Sequence, residues 1–246
     1  MDKIITHDES FTLFCEEYKE HYHNTNDGAK AETLKKHILP ALKFHQNSQK
    51  IVALDICFGL GYNSLYLHHL AKDKQLFIYS PEKDSSLLQN LTNFIYPNDL
   101  NHKILQSIIT QKSYQDANSS LELYIGNARD YLLLLKERGI KFNTIFQDAF
   151  SPNKNKELWT FEYFKSLYEI TSKDCLITTY SQNSSMLYSA FLAGFYSFSL
   201  RQQDTRDSTL LCKDIAKIQA IFKDEIKPFN LSHKIKHNKN LKGLYD

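Results

Sequence analysis

The stretch Ile51-Val-Ala-Leu-Asp-Ile-Cys-Phe-Gly-Leu-Gly-Tyr-Asn-Ser64 decides the fold. Its first half is an unbroken apolar run of strand-forming residues, and Gly59 and Gly61 stand directly before Tyr62 to Ala71, an apolar segment of helical character. Strand, glycine turn and helix suit the entry to a nucleotide-binding unit, and equally a plain tight turn of an α/β protein. The glycines let the backbone turn tightly and keep a ligand's space free of side chains. Asp55, at the strand's end, is expected to put a carboxylate at the mouth. A dinucleotide fingerprint would carry a third glycine at position 64 and meet a pyrophosphate at the helix N-terminus, but this chain has Ser64. A carboxylate near the turn suits a positively charged ligand, such as the sulfonium and ammonium of S-adenosyl-L-methionine.

Outward from this unit, Leu76 to Ser80 reads as a second strand ending at Pro81-Glu82-Lys83. Glu82 lies 21 residues past Gly61, about where a nucleotide-binding unit places an acid for the ribose hydroxyls. Ser85 to Phe94 is a helix candidate, and the polar region after it, up to residue 119, yields no clear element. Leu121–Ile125 is a third strand closed by Gly126-Asn127, and Ala128 to Glu137 is a helix with a leucine-rich face. Phe142–Phe146 is a fourth strand leading into Gln147-Asp-Ala-Phe-Ser-Pro152. A helix over Glu157–Ile170, a strand over Cys175–Tyr180, a helix over Ser184–Ala193 and a hairpin of Tyr196–Leu200 with Thr209–Lys213 complete the series. Ahead of the core, Ser10–Phe14 is a short strand and Ala29–Phe44 a helix that Pro40 should kink or shorten.

This alternation predicts an α/β protein with a mostly parallel, Rossmann-like sheet, helices on both faces and an antiparallel hairpin at its end. The expected division is a small N-terminal extension (1–48), a Rossmann-like domain (49–213) and a basic tail (214–246). At 246 residues there is room for one large core plus an appendage. The formal charge of +2 does not by itself mark a nucleic-acid binder. The surplus is in the tail, where eight lysines from Lys213 onward face four acids. Cys15, Cys57, Cys175 and Cys212 form no Cys-x-x-Cys pair, which reads as reduced core thiols. With neither a signal-like N-terminus nor a membrane-length apolar run, a cytoplasmic protein without a membrane partner is expected, a monomer by preference.

Asp55, Glu82, Asn127 and Asp148 all fall at carboxyl ends of expected strands, where open parallel sheets bind ligands. Each has a plain structural role available: Glu82 as a turn acid, Asn127 and Asp148 as helix caps or Asx turns. The block Asp148-Ala-Phe-Ser-Pro152 joins a carboxylate, an aromatic face and a rigid turn. Such a set suits transfer to an amine. A simple alkylamine is mostly protonated at neutral pH, and a carboxylate can orient it and receive or pass on its proton. Phe150 could stack on a base, whereas Trp159 is equally a core residue. No His/Cys/Asp cluster has metal-ligand spacing, and no metal is expected.

Phe58-Gly-Leu-Gly-Tyr-Asn63, Tyr79-Ser-Pro-Glu-Lys83, Gly126-Asn127 and Asp148-Ala-Phe-Ser-Pro-Asn-Lys-Asn-Lys-Glu-Leu-Trp159 resemble successive motifs of one family. It is the tRNA 5-(aminomethyl)-2-thiouridine methyltransferase domain, one half of the bifunctional MnmC enzymes; Asp27-Gly28 and Glu32-Thr33 resemble its entry segment. The resemblance implies a class I, S-adenosyl-L-methionine-dependent methyltransferase acting on the aminomethyl group of the tRNA wobble uridine. Asp55, Gly59, Gly61, Glu82 and Asn127 would line the cofactor pocket, Asp148 would be the catalytic acid at the amine, and Phe150 and Pro152 would meet the substrate. It also implies a stand-alone form without the FAD-dependent oxidase half. Leu60 and Tyr62 depart from the family's usual threonine and leucine. The basic run near Leu187-Tyr188-Ser189 is absent, and Thr205-Arg-Asp-Ser-Thr209 is a reduced version of a Gly-x-x-Arg-Glu stretch.

Other readings stand beside it. Aminopropyl transfer uses a similar fold but a more glycine-rich loop, and an NAD-dependent oxidoreductase would want the third glycine. A methyltransferase-like RNA-binding protein without activity would bind cofactor weakly or not at all.

Overall fold

The computed structural model describes residues 3–231 and 241–246. It begins with a small antiparallel sheet of β1 (Lys3–Ile5), β2 (Phe11–Cys15) and β3 (Glu20–His21), with β2 in the middle. A helical run follows in three pieces: α1 (Ala29–Glu32), a π-helical segment (Thr33–Ile38) and α2 (Leu39–Phe44). Pro40 thus does not shorten the run, one of the two outcomes expected of it. Its ring would press on a carbonyl one turn back, and the wider π turn, closed by Leu39 N–H on the Leu34 carbonyl, relieves this. The Lys35 carbonyl, five residues before Pro40 and so without an N–H from it, accepts instead from Gln202 Nε2 at 3.0 Å.

The core then unfolds as β4 (Lys50–Ile56), α3 (Tyr62–Leu70), β5 (Gln75–Glu82), α4 (Ser85–Leu91), α5 (His102–Gln111), β6 (Ser113–Gln115), β7 (Ser119–Ile125) and α6 (Ala128–Glu137). After these come β8 (Phe142–Gln147), α7 (Phe161–Ile170), β9 (Thr171–Thr179), α8 (Ser184–Leu192), β10 (Tyr196–Leu200), β11 (Ser208–Cys212), α9 (Ile215–Phe222) and β12 (Ile226–Pro228). Nine strands form one sheet in the order β12-β10-β11-β9-β8-β4-β5-β7-β6. The inner five, β9-β8-β4-β5-β7, are parallel; the outer pairings are antiparallel.

The apolar run at 51–56 reads as a strand buried on both faces, and it is one. Ile51 and Ala53 join the core beneath α3, whereas Leu54 and Ile56 join the core beneath α6, α7 and α8. Asp55, one step past Leu54, therefore points to the α3 side. The chain winds outward from β4 through β5 to β7, then returns to β8 and β9 on the other flank. The carboxyl ends of β4 and β8 diverge there, at the switch point where such sheets bind ligands.

Two stretches differ from the sequence reading. The polar region before residue 119 holds α5, whose Ile104, Leu105 and Ile108 face the core, and the edge strand β6. The segment expected as a tail from 214 folds back over 215–228: α9 packs Ile218 and Phe222 against Phe44, Leu176 and Phe198, and β12 pairs with β10. Residues 241–246 lie against α6 to α8 through Phe161 N–H on the Leu244 carbonyl and a two-pronged Arg129–Asp246 pair at 2.6 Å. The lysines and histidines at 232–240 that made the tail basic lie outside the described residues. Among the described residues no helix is long and apolar enough to cross a membrane.

Candidate active site

The turn after β4 sets the site's floor. Cys57 adopts a left-handed φ of 68° and Gly59 one of 54°, and Gly61 caps α3 at 78°. Gly61 is obligatory here: its N–H reaches the Phe58 carbonyl at 2.7 Å, and a Cβ would stand 2.6 Å from the Phe58 ring. The turn leaves the Gly59 N–H free to donate to Glu82 Oε2 at 2.8 Å. The Asp84 N–H donates to the other oxygen, Oε1, also at 2.8 Å. Because β5 runs through Pro81 to its last residue, Glu82 stands on the strand tip beside the turn, fixed on both oxygens. Burial raises its carboxyl above the usual range against these two amides.

The three aspartate and asparagine positions separate. Asp55 is wholly buried and does not line the cavity; it takes Ser64 Oγ at 2.6 Å and Asn63 Nδ2 at 3.3 Å, behind the turn rather than at its mouth. Burial pushes its carboxyl up to about 7, against the Ser64 hydrogen bond and with the neighbouring Asp148 charge. Asn127 lines the cavity, and its Oδ1 caps α6 by accepting from the Arg129 N–H at 2.8 Å, which fixes the side chain. Asp148 lines the cavity with its side chain 11% exposed. Its Oδ2 accepts from Asn63 Nδ2 at 2.9 Å, and its Oδ1 lies 3.4 Å from His37 Nε2. Burial pushes this carboxyl up, but His37 above all, with His23 and the Asn63 hydrogen bond, prevails and holds it well below the usual range.

The N-terminal sheet roofs the site. Glu20 accepts from the Ser151 N–H at 3.0 Å and from its Oγ at 2.5 Å, tying β3 to the segment after β8. Phe150 stacks on Tyr18 with ring centroids 4.6 Å apart and tilts against Tyr22 at 5.2 Å. One face of Phe150 thus already has its aromatic partner. Pro152 and Gly61 are buried without lining the cavity, and Trp159 is a core residue whose Nε1 donates to the Phe150 carbonyl at 2.8 Å.

Floor and roof enclose about 1140 Å³, lined by Gly59, Glu82, Asn127, Asp148 and Phe150 among others. The lining includes eight carboxylates and three Lys or Arg side chains. Such a cavity favours cationic ligands over phosphates. The structure adds residues that sequence reasoning missed: Asn63, His23, Lys36 and His37. Lys36 is buried between Asp27 at 2.7 Å and Glu32 at 2.9 Å, and His23 is buried and neutral-favouring because burial outweighs the nearby Asp148 and Glu32. Asn63 offered a signal, since it follows the glycine turn by two residues. His23, Lys36 and His37 offered none: Asp148 and Thr178 lie more than a hundred residues on from the histidines, and the local acids, Glu32 near His23 and Asp27 and Glu32 on Lys36, come from a segment with no recognisable spacing.

Residues 96–212 match the model of a family described as S-adenosyl-L-methionine-dependent methyltransferases. The chain is 29% identical over 194 residues to the tRNA 5-methylaminomethyl-2-thiouridine biosynthesis bifunctional protein MnmC of Campylobacter hominis, covering 74% of this chain and 28% of that protein. It is 26% identical over 185 residues to an uncharacterised protein of Methanocaldococcus jannaschii, covering 72% of this chain and 49% of that protein. The chain thus spans about half the length of the archaeal relative and under a third of the bacterial one. The crystal structure of MnmC2 from Aquifex aeolicus superposes with a TM-score of 0.76 at 27% identity, over 89% of this chain and 75% of that one. The chain therefore has the S-adenosylmethionine-dependent methyltransferase fold and is similar to the methyltransferase half of MnmC.

Proposed function

We propose that this chain transfers a methyl group from S-adenosyl-L-methionine to the amine of 5-aminomethyl-(2-thio)uridine at the tRNA wobble position, giving the 5-methylaminomethyl form. The observation that carries the reading is Asp148, a carboxylate held ionised and facing a cavity that also contains the glycine turn and Glu82. The likeness to MnmC, whose name states 5-methylaminomethyl-2-thiouridine biosynthesis, supports the choice of acceptor.

The residues fit the cofactor. Each Glu82 oxygen holds one backbone amide and has a lone pair left for a ribose hydroxyl, and the surplus of carboxylates suits a sulfonium and an ammonium. S-adenosyl-L-methionine, when bound, supplies an electrophilic methyl group. Asp148 accepts a hydrogen bond from the acceptor amine, orients its lone pair and stabilises the charge on nitrogen; the proton released goes to this carboxylate or to water. Tyr18, Tyr22 and Phe150 offer an aromatic wall for the uracil ring. The partner is tRNA, in the cytoplasm.

Incubating the protein with S-adenosyl-L-methionine and tRNA bearing 5-aminomethyluridine, followed by nucleoside mass analysis, tests the proposal. A gain of one methyl group on that nucleoside is expected. Cofactor binding without conversion would point to another cationic acceptor, such as a small amine, which the acidic lining also suits.

A further inference from the structure

We propose that His37 is a positioning residue: anchored by Thr178 at one ring nitrogen, it turns the other to Asp148 and fixes that carboxylate toward the cavity. The purpose rests on the amine-methylation reading; the placement does not. The imidazole is wholly buried, with Nδ1 2.8 Å from Thr178 Oγ1 and Nε2 3.4 Å from Asp148 Oδ1. Nε2 has no hydrogen-bond partner among the described residues and lies within ion-pair distance of Asp148.

The Thr178 hydroxyl sets the tautomer. Donating to Nδ1, it leaves the proton on Nε2, the nitrogen 3.4 Å from Asp148 Oδ1; if the ring gains a proton, the hydroxyl turns and accepts from Nδ1. Asp148 is then flanked from two elements, hydrogen-bonded by Asn63 on α3 at one oxygen and within ion-pair distance of His37 at the other. The π segment serves this placement: Lys36 and His37, adjacent in sequence, are both buried, Lys36 toward Asp27 and Glu32 and His37 toward β9. The other titratable groups acting on Asp148 or its partner ring are His23 after β3, Asp55 on β4, Cys57 in the turn and Tyr180 after β9.

The test is the titration of Asp148 by carbon-13 NMR of labelled aspartate in the ligand-free protein, assigned with Asp148→Asn. In the parent protein the signal is expected to stay that of a carboxylate down to the pH where the fold is lost. In His37→Leu it should titrate at or above the ordinary carboxylate range, because burial then lacks its main opponent. His37→Gln, which keeps a donor near the Nε2 position, should recover part of the shift. Thr178→Val, which keeps the shape and removes the anchor, should move it the same way by less. On tRNA, His37→Leu should lower kcat about 10- to 100-fold, with cofactor KM changed less than about twofold and the acid limb of the pH profile moved upward. An unchanged Asp148 titration in folded His37→Leu and Thr178→Val overturns the inference, even if both melt earlier. A parent protein that shows the titration but no methylation overturns the functional reading alone.

Discussion

Asp55 on β4 and Asp148 just past β8 are carboxylates joined through the one Asn63 amide, and their environments drive them apart. Asp55, where burial outweighs the Ser64 hydrogen bond and His37, is raised to about 7; Asp148, faced by His37 and His23, is lowered. Asp55's contribution to stability is full below the ordinary carboxylate range, declines above it and is gone once the pH passes about 7. Asp148's is the reverse, present above that range and lost as the pH falls. Asp55→Asn should therefore gain stability relative to the parent between pH 5 and pH 8, by about 2–3 kcal/mol, in denaturant melts at the two values. Asp148→Asn should cut kcat at least about 100-fold with cofactor affinity retained by calorimetry. Cys57 occupies a left-handed backbone conformation that glycine adopts freely. Cys57→Gly should preserve cofactor binding, and Cys57→Val should melt lower than either. At this scale Glu82 and Asp148 were legible because strand ends announce them. Asp55's retreat behind the turn was not, since it depends on Asn63 and Ser64 lying in the first turn of α3.

The small sheet β1–β3 is an element with little core of its own, and it is held over the cavity by Glu20 on Ser151 and by Tyr18 on Phe150. Glu20→Ala removes both hydrogen bonds and should raise the cofactor KM severalfold while changing the melting temperature little, since β3 has two residues. Trp159, the single tryptophan, donates to the Phe150 carbonyl behind the aromatic wall, so cofactor or nucleoside binding should alter its fluorescence. A flat titration would show that the wall does not move. Apart from α5 and β6, the strands and helices from β4 to α8 were legible because each carries a continuous apolar run or a helical stripe. Helix α5 was hidden by its polar residues, and β12, three residues long, leaves no periodicity to read.

For the whole molecule, the net charge of +2 conceals a separation: the cavity is acidic while the chain is slightly basic. A cationic cofactor is drawn inward and phosphates are kept outside. Raising salt from 50 to 500 mM should weaken S-adenosyl-L-methionine binding more than that of S-adenosylhomocysteine, which lacks the sulfonium charge, by about threefold in calorimetry. Equal salt dependence would remove the electrostatic account. The parallel sheet and its crevice followed from alternation alone, but the sign of the cavity did not. Glu17, Glu20, Glu32 and Glu157 come from segments that only the folded chain brings to one wall.

The π segment makes the length of the chain between Gly28 and Pro40 a functional quantity. Deleting any one of residues 33–38 would let the run close as an ordinary α-helix, with composition and hydrophobicity almost unaltered. Side chains across the gap would then swing by about 100° relative to one another, enough to carry His37 or its neighbours off their partners. A one-residue gap in this region of a homologous sequence would therefore mark a divergent site more surely than a substitution would.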